Sequence, residues 1–193
     1  MFRSQIPSVK ARMHYFLACD QEQKKDFEKQ REFLAEGIES DPAEADVLIA
    51  MFRSEGASEE WQADTKKRVT ETIETFAEDL RIARAQAKTN FDDLESQQVV
   101  AQLENQYAWL VGNTIGDIDE AIRASEHSVQ IYQGDGGFLD TLGRCYYRKG
   151  DLESALKYQR QAVKASPHEM QIQRQLALFE LEAAKRSADA PSK

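Results

Sequence analysis

Four prolines and nine glycines in 193 residues leave little to interrupt a helix, and no apolar run approaches the roughly 20 residues that cross a bilayer. The chain therefore reads as soluble and helix-favouring. Cysteine is as scarce: Cys19 and Cys145 stand far apart with no CxxC partner, which predicts buried or free thiols in place of a disulfide framework. Three histidines, His14, His127 and His168, fall in different stretches, and none sits in an HxxxH, HExxH or Cys/His cluster. No metal site is expected. Phosphate loops of the GxGxxG or GxxxxGK[ST] kind are missing too; "QGDGGF" (133–138) lacks the lysine and a preceding strand and reads as a turn. Carboxylates are plentiful, yet nothing singles out a pair. Catalytic residues, cofactors and metal ligands are all expected to be none, so the chain reads as non-enzymatic.

The amino terminus, "MFRSQIPSVKARMHYFLACD", combines basic residues with a short apolar stretch, but polar neighbours crowd it and no small-residue cleavage site follows. A signal peptide is not expected, and the location is read as cytoplasmic. The abrupt entry into a helical pattern leaves open that these residues are the C-terminal part of a longer protein. A net charge of −9 repels polyanions, which weighs against nucleic acid. The charge is uneven: Gly136 to Arg174 holds seven basic and four acidic residues, +3, and the remainder −12. Solvated helix faces are one reading of that segment and an anion-seeking surface the other.

Repetition is what the sequence does contain. Gly116-Asp117 recurs as Gly150-Asp151, Ala121 as Ala155 and Ile122 as Leu156, each 34 residues on, as 116 to 150 shows. A more worn copy matches Leu17-Ala18, Asp26, Phe33, Gly37 and Pro42 to Leu142-Gly143, Asp151, Tyr158, Ala162 and Pro167, each offset by 125, as 17 to 142 shows. The physical unit is a pair of antiparallel helices, with small residues (Gly143, Ala155) where backbones meet. Gly150 is expected as a left-handed cap and Asp151 as the next N-cap. Pro167 then ends the pair.

The stretch 139–167 resembles a tetratricopeptide repeat, whose pattern runs W-x2-L-G-x2-Y, then A-x3-F, then P. Leu142, Gly143, Tyr146, Ala155 and Pro167 match it; Leu139 takes the Trp place and Gln159 the Phe place, where Tyr158 is expected to substitute. The preceding unit fits with one residue inserted in its turn, since Ala108 precedes Gly116 by eight residues where Gly143 precedes Gly150 by seven. The first unit, Ala11 to Pro42, lacks the turn glycine and carries Gln30 in place of the small residue. Three such pieces are similar to repeat proteins of the bacterial type. The resemblance implies an all-α, right-handed α-solenoid of helix hairpins with a long central helix. Its expected parts are 1–56, a degenerate unit plus following helix; 57–93, the central helix and a break at "TNFDD"; 94–186, two units and a capping helix; and 187–193, a disordered tail.

From Ser58 to Lys88 nothing breaks the helix. Val69, Ile73, Phe76, Leu80, Ala83 and Ala87 form a heptad-like seam, which either packs within the chain or joins a homodimer. Cys145, beside Tyr146 and Tyr147, has Arg144 and Arg148 nearby, which would lower its thiol pKa if exposed; an inert, partly buried thiol is the other reading.

Groove positions carried over from the resemblance are Arg12, Tyr15, Cys19 and Glu22 in the first unit, Asn105, Trp109 and Asn113 in the next, and Asp140, Arg144, Tyr147 and Arg148 in the last. Asparagine amides suit a peptide backbone, guanidinium groups suit carboxylates, and Trp109 offers an apolar platform. The bland reading pairs Asp140 with Arg144, buries Trp109 and leaves the arginines solvated. The lysine and asparagine clamp of chaperone-tail binders is not found. The expected function is a scaffold holding an extended peptide, acidic or with a free C-terminus, in the concave groove. The alternatives are a homo-oligomerisation module using the central helix or a solenoid edge, and a polyanion contact through the basic last unit.

Overall fold

The computed structural model describes residues 6–88 and 93–188. Among these residues there are nine α-helices and no strand: α1 (Ile6–Gln23), α2 (Phe27–Ser40), α3 (Ala45–Arg53), α4 (Glu59–Ala87), α5 (Leu94–Asn113), α6 (Ile118–Ile131), α7 (Gly136–Lys149), α8 (Leu152–Ala165) and α9 (Met170–Ala188). The fold is an all-α helical repeat. The chain divides into two compact units, Met1–Thr75 and Phe76–Lys193, so the division falls inside α4 and not at the ends of the central helix. Of the break "TNFDD", only Asp93 is among the described residues. Of the expected tail, 187 and 188 belong to α9 and the rest lies outside the described residues.

Aspartate starts most of these helices for one reason. The first turn leaves backbone N–H groups without intrahelical acceptors, and a short carboxylate folds back onto them. Asp26, Asp93, Asp117, Asp135 and Asp151 accept such bonds at the heads of α2, α5, α6, α7 and α8.

In the C-terminal unit α5 pairs with α6 and α7 with α8, while α7 also packs on α5, α6 and α9. Leu139, Ala162 and Ile172 form a buried cluster with Val129, Tyr158 and Val163 packed around it. Leu110, Leu142 and Phe179 are fully buried, each contributing on the order of 1.5–3 kcal/mol of transfer free energy. Gly150 adopts φ 90° and returns its N–H to the end of α7, as the C-cap position requires. Gly143 sits where α7 meets α8: a methyl there would lie 2.7 Å from Gln159 Oε1 and 3.4 Å from Ala155 O. The inserted residue of the preceding turn is absorbed after α5, where Thr114 leaves helical geometry and Gly116 takes φ 109° before Asp117 caps α6. The seam residues Val69, Phe76 and Leu80 are buried within the chain.

In the N-terminal unit α1 packs on α2 and α3. The closest approach is at Gly37, where an added methyl would meet Val47 Cγ2 at 3.2 Å and Ala11 O at 3.4 Å. Gln30, in the small-residue place, is buried and accepts a hydrogen bond from Ser54 Oγ at 3.1 Å, and Trp61 Nε1 donates to Met51 O at 3.1 Å. The missing turn glycine has a definite consequence. Lys25 stands in its place, 125 residues before Gly150, and adopts φ 60°. A side chain in this left-handed region costs roughly 1–2 kcal/mol, part of which glycine would return in unfolded-state entropy. Lys25→Gly is therefore expected to stabilise by about 0.5–1 kcal/mol; a denaturant midpoint that falls would show that the Lys25 side chain contributes contacts outweighing its strain.

Candidate functional site

α5 and α7 run side by side in the C-terminal unit and carry seven of the predicted groove residues: Asn105, Trp109 and Asn113 on α5, Asp140, Arg144, Tyr147 and Arg148 on α7. The close approach of the two helices is set by Gly112, whose added methyl would lie 2.7 Å from Cys145 Sγ. The Cys145 thiol donates to Ala108 O at 3.4 Å. Burial pushes its pKa up to about 12, against the opposing influence of Arg148. Of the two readings of this cysteine, the inert one holds.

A polar network links the two helices and extends beyond them. Arg144 Nε donates to Asp140 Oδ2 at 2.7 Å, Nη1 reaches Asn113 Oδ1 at 3.4 Å, and the guanidinium lies 4.9 Å from the centre of the Trp109 ring. Asn113 Nδ2 donates to Trp109 O at 2.8 Å. On the other side Gln159 Nε2 donates to Asp140 Oδ1, and also to Ile172 O at 3.1 Å. Side chains or backbone of α5, α7, α8 and α9 thus converge on one buried ion pair, with Asp140 5% and the Arg144 side chain 12% exposed. The expectation that Asp140 and Arg144 pair is met, but the pair is buried, not solvated.

Arg148 has a different task. Its Nη1 donates to Val111 O at 2.9 Å and Nη2 to Gly116 O at 3.1 Å, so it satisfies carbonyls at the frayed end of α5 and in the enlarged turn. Burial lowers its pKa from the ordinary arginine value. The bland reading left this arginine solvated; its bonds to Val111 O and Gly116 O instead tie one repeat to the next. Tyr147 is 40% exposed and stacks on Phe179 of α9, ring centres 4.5 Å apart. Asn105 Oδ1 is buried and accepts no hydrogen bond among the described residues.

Arg12, Tyr15, Cys19 and Glu22 lie on α1 in the other compact unit. Tyr15 and Cys19 are half-buried, and burial raises both pKa values. The cations of the +3 segment are largely engaged: Lys149 pairs with Asp119 at 2.8 Å, Arg160 with Glu180 at 3.2 Å, and Lys157 lies over Tyr158.

Two features escaped sequence reading. Gln159, taken as a departure covered by Tyr158, is fully buried and organises the network; a polar residue at a core position, one helix away from the buried Asp140, was the available signal. The second is Glu104, 2% exposed on α5, which accepts from Arg84 of α4 at 2.7 Å and contacts His127 Nδ1 of α6 at 2.5 Å. These residues border a cleft of about 600 Å³ with Val100 and Glu120. Nothing in their spacing along the chain marks them as neighbours. Among the described residues no group of three His, Cys, Asp or Glu side chains could hold a metal ion.

The family model for the tetratricopeptide repeat matches residues 137–169, the hairpin of α7 and α8 with its flanking turns. The chain carries a tetratricopeptide repeat. No curated protein matches it. Within this repeat Leu142, Gly143, Tyr146 and Ala155 lie at the pattern positions of the hairpin, and Asp140, Arg144 and Arg148 stand on the same α7. Such repeats serve protein–protein interaction. No helix among the described residues is long and apolar enough to cross a membrane.

Proposed function

We propose that the protein is a non-enzymatic scaffold that holds an extended segment of a protein partner along α5 and α7. The observation that carries this reading is the preordered Trp109–Arg144–Asp140 array. A guanidinium clamped by a buried carboxylate and seated over an indole loses little entropy when a ligand arrives, so more of the contact energy appears as affinity. Around it stand the groups the network leaves available. Arg144 Nη2 has no acceptor among the described residues and suits a carboxylate, from an acidic side chain or a free C-terminus. Asn105 Oδ1, buried and without a donor among the described residues, would accept from a ligand backbone N–H once its amide turns outward, and the exposed part of Tyr147 suits an apolar side chain. The overall charge of −9 and the pairing of Lys149 and Arg160 weigh against a polyanion partner. Burial of Val69, Phe76 and Leu80 weighs against a dimer seam on α4.

The test is an array of short peptides ending in free carboxyl groups, screened with the whole chain and titrated by fluorescence anisotropy. Asn105→Ala and Tyr147→Ala are expected each to weaken a binding peptide about tenfold, the loss of roughly one hydrogen bond or apolar contact, with an unchanged circular dichroism spectrum. Full affinity in both variants would remove this groove from the account.

A further inference from the structure

α1 is built inside out. The residues it buries are small or polar, Ala11, Ala18 and Gln21, while its large side chains Ile6, Val9, Met13, Phe16 and Leu17 are 64%, 65%, 51%, 60% and 39% exposed. Ordinary amphipathic helices do the reverse, and single exposed apolar residues need no account, but five on one helix do. The small face matches the close crossing at Gly37, where an added methyl would lie 3.4 Å from both Ala11 O and His14 Cβ. The large face is not explained by anything in the N-terminal unit. Its spacing is three, four, three from Ile6 through Val9 and Met13 to Phe16, the a/d rhythm of a helix that receives a second helix. α7, by contrast, packs against α5, α6, α8 and α9, and its Leu139, Leu142 and Cys145 are buried.

We infer that the outward face of α1 docks an amphipathic helix of another protein whose apolar stripe is flanked by carboxylates. Charge selects this occupant. Lys10 lies on one side of the stripe and Arg12 on the other, both exposed, and neither forms an ion pair among the described residues; burial raises the carboxyl pKa of Glu44, and Arg12 is near enough to oppose that rise only in part. No acidic residue precedes Asp20 in the chain. A second copy of α1 would bring Lys10 and Arg12 against their own kind, and an anionic membrane would meet the −9 charge of the whole chain. A helix with glutamates beside its apolar seam sets carboxylates directly against Lys10 and Arg12 and presents far less negative charge to the rest of the chain than a membrane surface does. This surface is separate from the α5–α7 groove, and its test does not depend on that reading.

The probe is a synthetic helix of about three heptads with leucine at the core positions and glutamate at the flanks, compared with a twin carrying lysine at the flanks. Isothermal titration of the whole chain is expected to show binding of the glutamate peptide and at least tenfold weaker binding of the lysine twin. Phe16→Glu should abolish binding while leaving the thermal midpoint unchanged, since that side chain is largely in water. Lys10→Glu with Arg12→Glu should reverse the preference between the two peptides. Equal binding of both peptides, or of neither, would overturn the proposal. So would a sedimenting dimer of the wild type that Phe16→Glu dissociates, which would assign the face to a second copy. Pelleting with vesicles of about 30% anionic lipid, lost in Phe16→Glu, would assign it to a membrane instead.

Discussion

Leucine in place of Gly143 is expected to destabilise the C-terminal unit by about 3 kcal/mol or more, and glycine to alanine by about 1 kcal/mol. The first added carbon already lies 2.7 Å from Gln159 Oε1 and 3.4 Å from both Ala155 O and Gln159 N. An isolated glutamine would swing aside. Gln159 is held, because its Nε2 donates to Asp140 and to Ile172 O in a site fully removed from water. Moving it breaks two buried hydrogen bonds, each worth roughly 1 kcal/mol net and more if a partner is stranded. Parting α7 from α8 instead opens the cluster of Leu139, Ala162 and Ile172. In a chain of this length the loss corresponds to a fall in thermal midpoint of about 6–12 °C. A midpoint equal to wild type would mean that the two helices do not cross at Gly143.

Asp140→Ala is expected to have an effect of the same order, about 3–5 kcal/mol, by a different route. The alanine fits sterically, but it leaves the Arg144 guanidinium, 12% exposed in its side chain, without its carboxylate, and leaves Gln159 with one acceptor fewer. A stranded buried charge is among the most costly defects a core can contain. The control separates this cause from lost volume: Asp140→Leu combined with Arg144→Met removes both charges and is expected to recover most of the stability, since an apolar pair of similar size needs no desolvation to be repaid. Urea melts of the single and double variants decide it. A double variant less stable than Asp140→Ala alone would show that the ion pair stabilises beyond its own desolvation cost.

These two residues also show how far the chain could be read before its structure was known. The repeat itself was legible, because its rules are local. A glycine ends α7 where the backbone must take φ 90°, an aspartate caps α8, and small residues recur wherever two helices must touch within one hairpin. Spacing along a single helix likewise placed Asp140, Arg144 and Arg148 on one face, and Trp109 and Asn113 on another. The expected pairing of Asp140 with Arg144 follows from that four-residue spacing alone.

What those groups do once assembled depends on contacts between helices distant in sequence. Arg144 over Trp109 joins residues 35 apart, as 109 to 144 shows; Arg148 reaches Val111 and Gly116; Glu104 meets Arg84 and His127. None of these pairs shares a helical period, so no pattern within a helix announces it. The burial of Gln159 and the exposure of Phe16 invert what their residue types suggest, and both inversions have one cause. Which side of a helix faces protein is decided by where its neighbours stand, at α8 by Asp140 and the first turn of α9 and at α1 by the close crossing at Gly37. Local sequence, through caps, turn conformations and helical period, determined that this chain folds into helix hairpins and where each begins and ends. Only the tertiary structure decided which polar groups are buried together and which apolar face is left to water, because burial is a property of the packed neighbours and not of the residue.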